Sequence, residues 1–188
     1  KERCPDLEVW SLNNAYVFLP AGVAARWFEM HSRFLYSWEG IRRPLGHVQW
    51  LASFPGPVYL HEPDARIPNG VVYPIREVGA DLGVGVSRVD KDGAITRTDG
   101  IPYLRSSIGY MIALALYERG DEMHLYGIDL DTESEYAWQR ANTEWLVGMA
   151  IARGIRVVLP TTCPIGQGDL YGRGHLRPEG EHMTHEQL

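Results

Sequence analysis

"LRSSIGYMIALALYERGDEMHLYGIDLD", residues 104–131, decides how this chain is read. Ser106 and Ser107 stand before an apolar run, and a serine hydroxyl at a helix start can take up a free backbone N–H group. Ile108, Met111, Ile112, Ala115 and Leu116 then form a nearly continuous stripe, which predicts a largely buried helix. Gly120 suits its C-terminal end. "EMHLYGID" (122–129) follows at once and has the length and content of a buried strand.

The same alternation continues downstream. "SEYAWQRANTEWLVGMAIARG" (134–154) repeats Trp138, Trp145, Met149 and Ala152 at helical spacing and closes on Gly154. "IRVVLP" (155–160) is a further buried strand. Helix, strand, helix, strand with short connections predicts parallel strands joined by right-handed crossovers, an α/β sandwich.

Upstream, "LEVWSLNN" (7–14) reads as a strand that ends at two asparagines, which tolerate turn conformations. "AGVAARWFEMHSRF" (21–34) places Val23, Trp27 and Met30 on one face and predicts a helix. "GPVYLHE" (56–62) and "GVVYPI" (70–75) read as strands, and Pro74 sets the second at an end or edge. "GVGVSRVDKDGAITRTDG" (83–100) alternates on both sides of Lys91–Asp92–Gly93, the pattern of a β-hairpin inserted into the domain. Residues 1–162 are thus expected to form the α/β domain. Residues 163–188, rich in Gly and charge and without periodicity, are expected to be a C-terminal arm or tail.

Composition bounds the function. The 188 residues suffice for one domain with a sizeable core. A formal net charge of −6, with Arg42–Arg43 the one adjacent basic pair, argues against broad nucleic-acid binding. Two cysteines, Cys4 and Cys163, make no disulfide or zinc framework, and a cytoplasmic setting is expected. No apolar run approaches the roughly 18–20 residues of a membrane span. His182 and His185 have weak metal-ligand spacing with nothing acidic converging on them, so no metal is expected. No P-loop, G-x-S-x-G or G-x-G-x-x-G motif is present, and "GVGVS" (83–87) precedes a hairpin rather than a helix.

In an open parallel sheet, ligands bind at the carboxyl ends of the strands. This rule selects Asn13 and Asn14, His61 and Glu62, Asp129 and Asp131, and Pro160 to Thr162. The helix beginning near Ser106 offers free N–H groups suited to a phosphate or carboxylate. Each residue also has a plain structural reading. Ser106 and Ser107 can simply cap, the asparagines shape a turn, Asp129 caps the next segment, Asp131 is a solvated loop charge, and His31 ends a helix.

"SLNNAYVFLP" together with "SSIGYMIALALYERGDEMHLYGIDLD" resembles the bacterial sialyltransferases built on a single Rossmann-like domain, and the related family that includes archaeal 6-hydroxymethylpterin diphosphokinase. "WFEMH" and "EYAWQRANTEWLVGMAIARGI" are also similar to uncharacterised phage products. The likeness covers roughly residues 8–160, and the helix–strand block is its specific part. It implies a three-layer Rossmann-like sheet and a nucleotide-binding transferase using a nucleotide-activated sugar such as a CMP-sugar, with no further cofactor. It carries donor binding onto Asn13 and Asn14, Ser106 and Ser107, and Gly127–Ile128–Asp129, and assistance to the departing phosphate onto Tyr136. Two parts of the pattern have no match. The first strand with its Gly-Pro-Ser-like loop would lie before Lys1, and the family's catalytic His is missing between His124 and His175. His31 or His61 would then serve as general base. The alternative expectation is a non-catalytic, phage-type assembly protein that keeps the fold, with a second copy or a partner chain covering an incomplete sheet.

Overall fold

The computed structural model describes residues 7–83, 87–89, 95–97, 104–128, 130 and 135–166. The chain is mixed α/β. Strands β1 (Trp10–Leu12), β2 (Arg26–Phe28), β3 (Val58–Leu60) and β4 (Gly70–Val72) form one sheet in that order, and every neighbouring pair is parallel. A short 3₁₀ turn, Ala15–Val17, follows β1. Helices α1 (Arg33–Tyr36) and α2 (His47–Ser53) separate β2 from β3, and α3 (Ile75–Leu82) follows β4. Strands β5 (Ser87–Val89) and β6 (Ile95–Arg97) pair antiparallel, as the hairpin reading requires, while their Lys91–Asp92–Gly93 turn lies outside the described residues. Helix α4 (Ser107–Glu118), strand β7 (Glu122–His124), helix α5 (Glu135–Ala152) and strand β8 (Arg156–Val158) complete the order, with β7 and β8 paired in parallel. Beyond Gly166 the expected arm also lies outside the described residues.

Alternate residues of the four-stranded sheet feed two separate cores. Trp27, Val58 and Leu60 pack with Tyr36, Leu51 and Phe54. Phe28 and Tyr59 pack instead with residues of α3, α4 and α5, among them Val78, Ile112 and Leu146. A strand covered on both faces carries apolar side chains at consecutive positions. That is why β3 is buried at all three residues.

The same circumstance overturns the helix expected over 21–34. Residues 26–28 form β2, with Trp27 facing one core and Phe28 the other. Gly22 stands at φ 77° just ahead, where a helix cannot run. Trp27 and Phe28, buried in succession on opposite faces, show no period of two, so the chance spacing of Val23, Trp27 and Met30 resembled a helix. The helix at Arg33–Tyr36 begins only after the strand has ended.

Ser106 caps α4 as expected, its Oγ accepting the Gly109 N–H at 3.0 Å. Arg119, in the left-handed region at φ 60°, ends the helix one residue before the expected Gly120. Helices α4 and α5 approach so closely that a Cβ on Gly109 would stand 2.5 Å from Asn142 Oδ1. Asn142 is fully buried, and its Oδ1 accepts the Arg105 N–H at 2.9 Å. No helix among the described residues is long and apolar enough to cross a membrane.

Candidate functional site at the carboxyl edge of the sheet

Beyond Phe28 the chain delivers Glu29, Met30 and His31 to the carboxyl edge of the sheet. Glu29 continues the Trp27 face of the strand and is fully buried. A carboxylate removed from water must be paired and hydrogen-bonded, and three cations or imidazoles converge on it. His31 Nδ1 lies 2.6 Å from its Oε1. Arg43 Nη2 donates to the same oxygen at 3.2 Å. His47 Nε2 lies 2.9 Å from Oε2. Tyr16 OH then meets His47 Nδ1 at 3.1 Å, which extends the chain to a fourth side chain.

Local structure brings these partners together. Glu39 accepts the backbone N–H groups of Gly46 and Val48 at 3.0 and 2.9 Å. It thereby satisfies the start of α2, whose first residue is His47. Arg43 is held in the same loop, where Nη1 donates to the Arg42 carbonyl at 2.9 Å.

Protonation follows from these contacts. Burial alone would raise the Glu29 carboxyl, but hydrogen bonds from His31 and His47 and the charge of Arg43 outweigh it and lower its pKa to about 2. An ionised carboxylate can only accept, so His47 Nε2 carries a proton towards it, and His31 Nδ1 does so in the tautomer that pairs with Glu29. Arg43 Nη2, which can only donate, also reaches His31 Nδ1 at 2.7 Å, so this guanidinium is shared between Glu29 Oε1 and the ring nitrogen. His47 is left with Nδ1 free to accept from Tyr16. Burial raises the Tyr16 pKa, with Glu39 adding to the effect, so that phenol keeps its proton. With Nδ1–H on Glu29, a neutral His31 has Nε2 as a lone-pair acceptor, on a side chain that is 34% exposed where Glu29 and His47 are sealed. A half-exposed imidazole held in one tautomer by a buried carboxylate can take a proton from a hydroxyl and keep the resulting cation stabilised.

The opposite face of the same edge gathers other residues. Asn13 ends β1 in the left-handed region at φ 51°, its N–H donating to the Phe28 carbonyl at 2.9 Å and its carbonyl accepting from Trp27 Nε1 at 3.0 Å. Ser107 Oγ, in the first turn of α4, lies 3.5 Å from Asn13 Oδ1. His61, exposed at the end of β3, donates from Nε2 to the Met30 carbonyl at 2.9 Å and meets the Tyr110 ring edge-on. Tyr110 in turn accepts at its carbonyl from Tyr73 OH at 2.9 Å.

The structure therefore brings Asn13, Ser107 and His61 to one edge with His31. Asn14 shapes the 3₁₀ turn, its carbonyl accepting the Val17 N–H at 3.1 Å. Ser106 is occupied as a cap. Gly127 has φ 68°, a backbone position that favours glycine. Asp129, Asp131 and the side chain of Tyr136 lie outside the described residues. Sequence reasoning named His31 but missed Glu29, Arg43, His47 and Tyr16. The available signal was Glu29 itself, a charge inside the aromatic run "RWFEM". Among the described residues no group of three His, Cys, Asp or Glu side chains could hold a metal.

No family model matches the chain, and no curated protein or solved structure matches it.

Proposed function

We propose that this is a group-transfer enzyme working at the carboxyl edge of the β1–β4 sheet, with His31 as its general base. The observation that carries the reading is the 2.6 Å contact between the buried Glu29 carboxylate and Nδ1 of the half-exposed His31. In the mechanism, an acceptor hydroxyl gives its proton to His31 Nε2 as its oxygen attacks the activated carbon of the donor. The bond from that carbon to the donor phosphate breaks, and the phosphate leaves with the bonding electrons. The proton rests on an imidazolium that Glu29 stabilises.

The donor in this reading is a nucleotide-activated sugar. Its support is the likeness of the Asn13 and Ser106–Asp129 blocks to single-domain sialyltransferases, together with the proximity of Asn13 and Ser107 beside the start of α4. We extend the reading to the fold: the two cores on opposite faces of a parallel sheet suit a three-layer Rossmann-like arrangement in which β7 and β8 prolong the sheet. In its support, α4 also contacts β1.

Calorimetric titration with nucleotides and nucleotide sugars tests donor binding. Ser107→Ala is the informative variant, since Ser106 rather than Ser107 caps the helix. A loss of affinity of about tenfold is expected from one lost hydrogen bond to a charged group. Absence of binding to every nucleotide, or unchanged affinity in the variant, rejects the donor assignment.

A second reading, a non-catalytic assembly protein, is favoured by one specific feature. Phe34, Ile41 and Leu45 are 71%, 68% and 83% exposed along one short segment. Light scattering separates the readings: a monomer in dilute solution removes the support for self-association.

A further inference from the structure

A shallow recess of about 610 Å³ opens between Arg33, Phe34, Ser37, Trp38 and Arg66. Its walls spring from the sheet edge already described. Helix α1 and its flanks follow β2, two residues beyond His31, and the loop carrying Arg66 follows β3. The Phe34 and Trp38 rings stand 5.4 Å apart, tilted 47° to each other, and both are exposed, which leaves an angled aromatic platform open to solvent.

Two guanidinium groups flank that platform, and each is held rather than loose. Asp64 is buried, accepts from Arg66 Nε and Nη2 at 3.0 and 2.6 Å, and accepts from Tyr36 OH at 2.7 Å. Hydrogen bonds from Arg66 keep its carboxyl well below the usual range, so this anchor persists at ordinary pH. Arg66 Nη2 also donates to Ser37 Oγ at 2.8 Å. Arg33 Nη2 donates to the Pro63 carbonyl, and its Nε lies 3.5 Å from the exposed Glu62. In both residues the protein engages Nε and Nη2, and Arg33 Nε also lies 3.8 Å from the buried Asp64. Planar, anchored guanidinium groups suit phosphate oxygens. An exposed pair such as Arg33–Glu62 is weak enough for an anion to displace it.

We propose that this recess binds a flat ring bearing a phosphate, and that it is the acceptor subsite for His31. The ring would lie on Phe34 and Trp38 and the phosphate would bridge Arg33 and Arg66. The acceptor role rests on the group-transfer reading above, whereas the binding itself does not.

The test is calorimetric titration with phenyl phosphate, phenol and inorganic phosphate. Phenyl phosphate is expected to bind more tightly than either fragment. Arg33→Gln and Phe34→Ala, both at exposed side chains, should each weaken it about tenfold while circular dichroism stays unchanged. Ser107→Ala should leave it unaffected, because the donor side is separate. Failure of phenyl phosphate to bind at millimolar concentration, or wild-type affinity in both recess variants, overturns the subsite. Loss through Ser107→Ala alone also overturns it and assigns the anion to the start of α4. None of these results bears on whether His31 is a base, which nucleotide-sugar turnover reports separately.

Discussion

Glu29 is the residue on which the site turns. A lone carboxylate in an aromatic strand would be destabilising, and its two imidazoles and one guanidinium reverse that. Its carboxyl falls from the ordinary value of 4.5 to about 2 in the fold. A depressed pKa contributes stability that is fully present above the unfolded value and lost as pH falls towards the folded one. Glu29 should therefore contribute on the order of 3 kcal/mol at neutral pH, withdrawn between about pH 4.5 and 2. Urea unfolding of the wild type and Glu29→Gln at pH 7 and pH 3 measures this. The gap between the two proteins should narrow in acid, and a gap independent of pH contradicts the assignment. This cluster was barely legible in the sequence. Its members Tyr16, Glu29, Arg43 and His47 are spread over 32 residues with no common spacing. Only folding of the 39–48 loop around Glu39 brings them together.

Among the elements, legibility followed length. Helices α4 and α5, with 12 and 18 residues, repeat their apolar stripe often enough to be read directly. Strand β2 has three residues and both faces buried, so periodicity had nothing to work on. Helices α2 and α3, of seven and eight residues, were likewise not anticipated. The predicted ends of the elements were nonetheless sound where Asn13 and Gly154 mark them. Asn13 at φ 51° terminates β1, and Gly154 at φ 81° follows α5. Element packing gives its own prediction at Gly109. An alanine there would press its methyl group against Asn142, whose side chain is fully buried and committed to the Arg105 N–H. Gly109→Ala should lower stability by about 1–3 kcal/mol despite its better helix propensity. Chemical denaturation reports it, and a variant as stable as the wild type would mean that α4 and α5 do not meet this closely.

At the scale of the molecule, the parallel sheet divides its carboxyl edge into two sides. Glu29, His47 and Arg43 meet His31 on the side of α2, while Ser107 and Tyr110 bring α4 to Asn13 and His61 on the other. The strand-end rule pointed to Asn13 and His61 from the sequence and the helix-start argument to Ser107, while His31 was read as the end of a helix that the structure replaces with β2. The rule could not find the groups behind them, because a buried positioning residue leaves no mark at a strand end. Two faces of one edge suit a reaction that joins two substrates, a donor over α4 and an acceptor against His31. The measurement that tests this most directly is release of nucleotide from a panel of nucleotide sugars by the wild type and by His31→Asn. The wild type should release nucleotide, and the variant should be slower by about 10²–10⁴-fold, the contribution typical of a positioned general base. A wild type that releases none, or a variant that matches it, would contradict the assignment of His31 as the base of a group-transfer site.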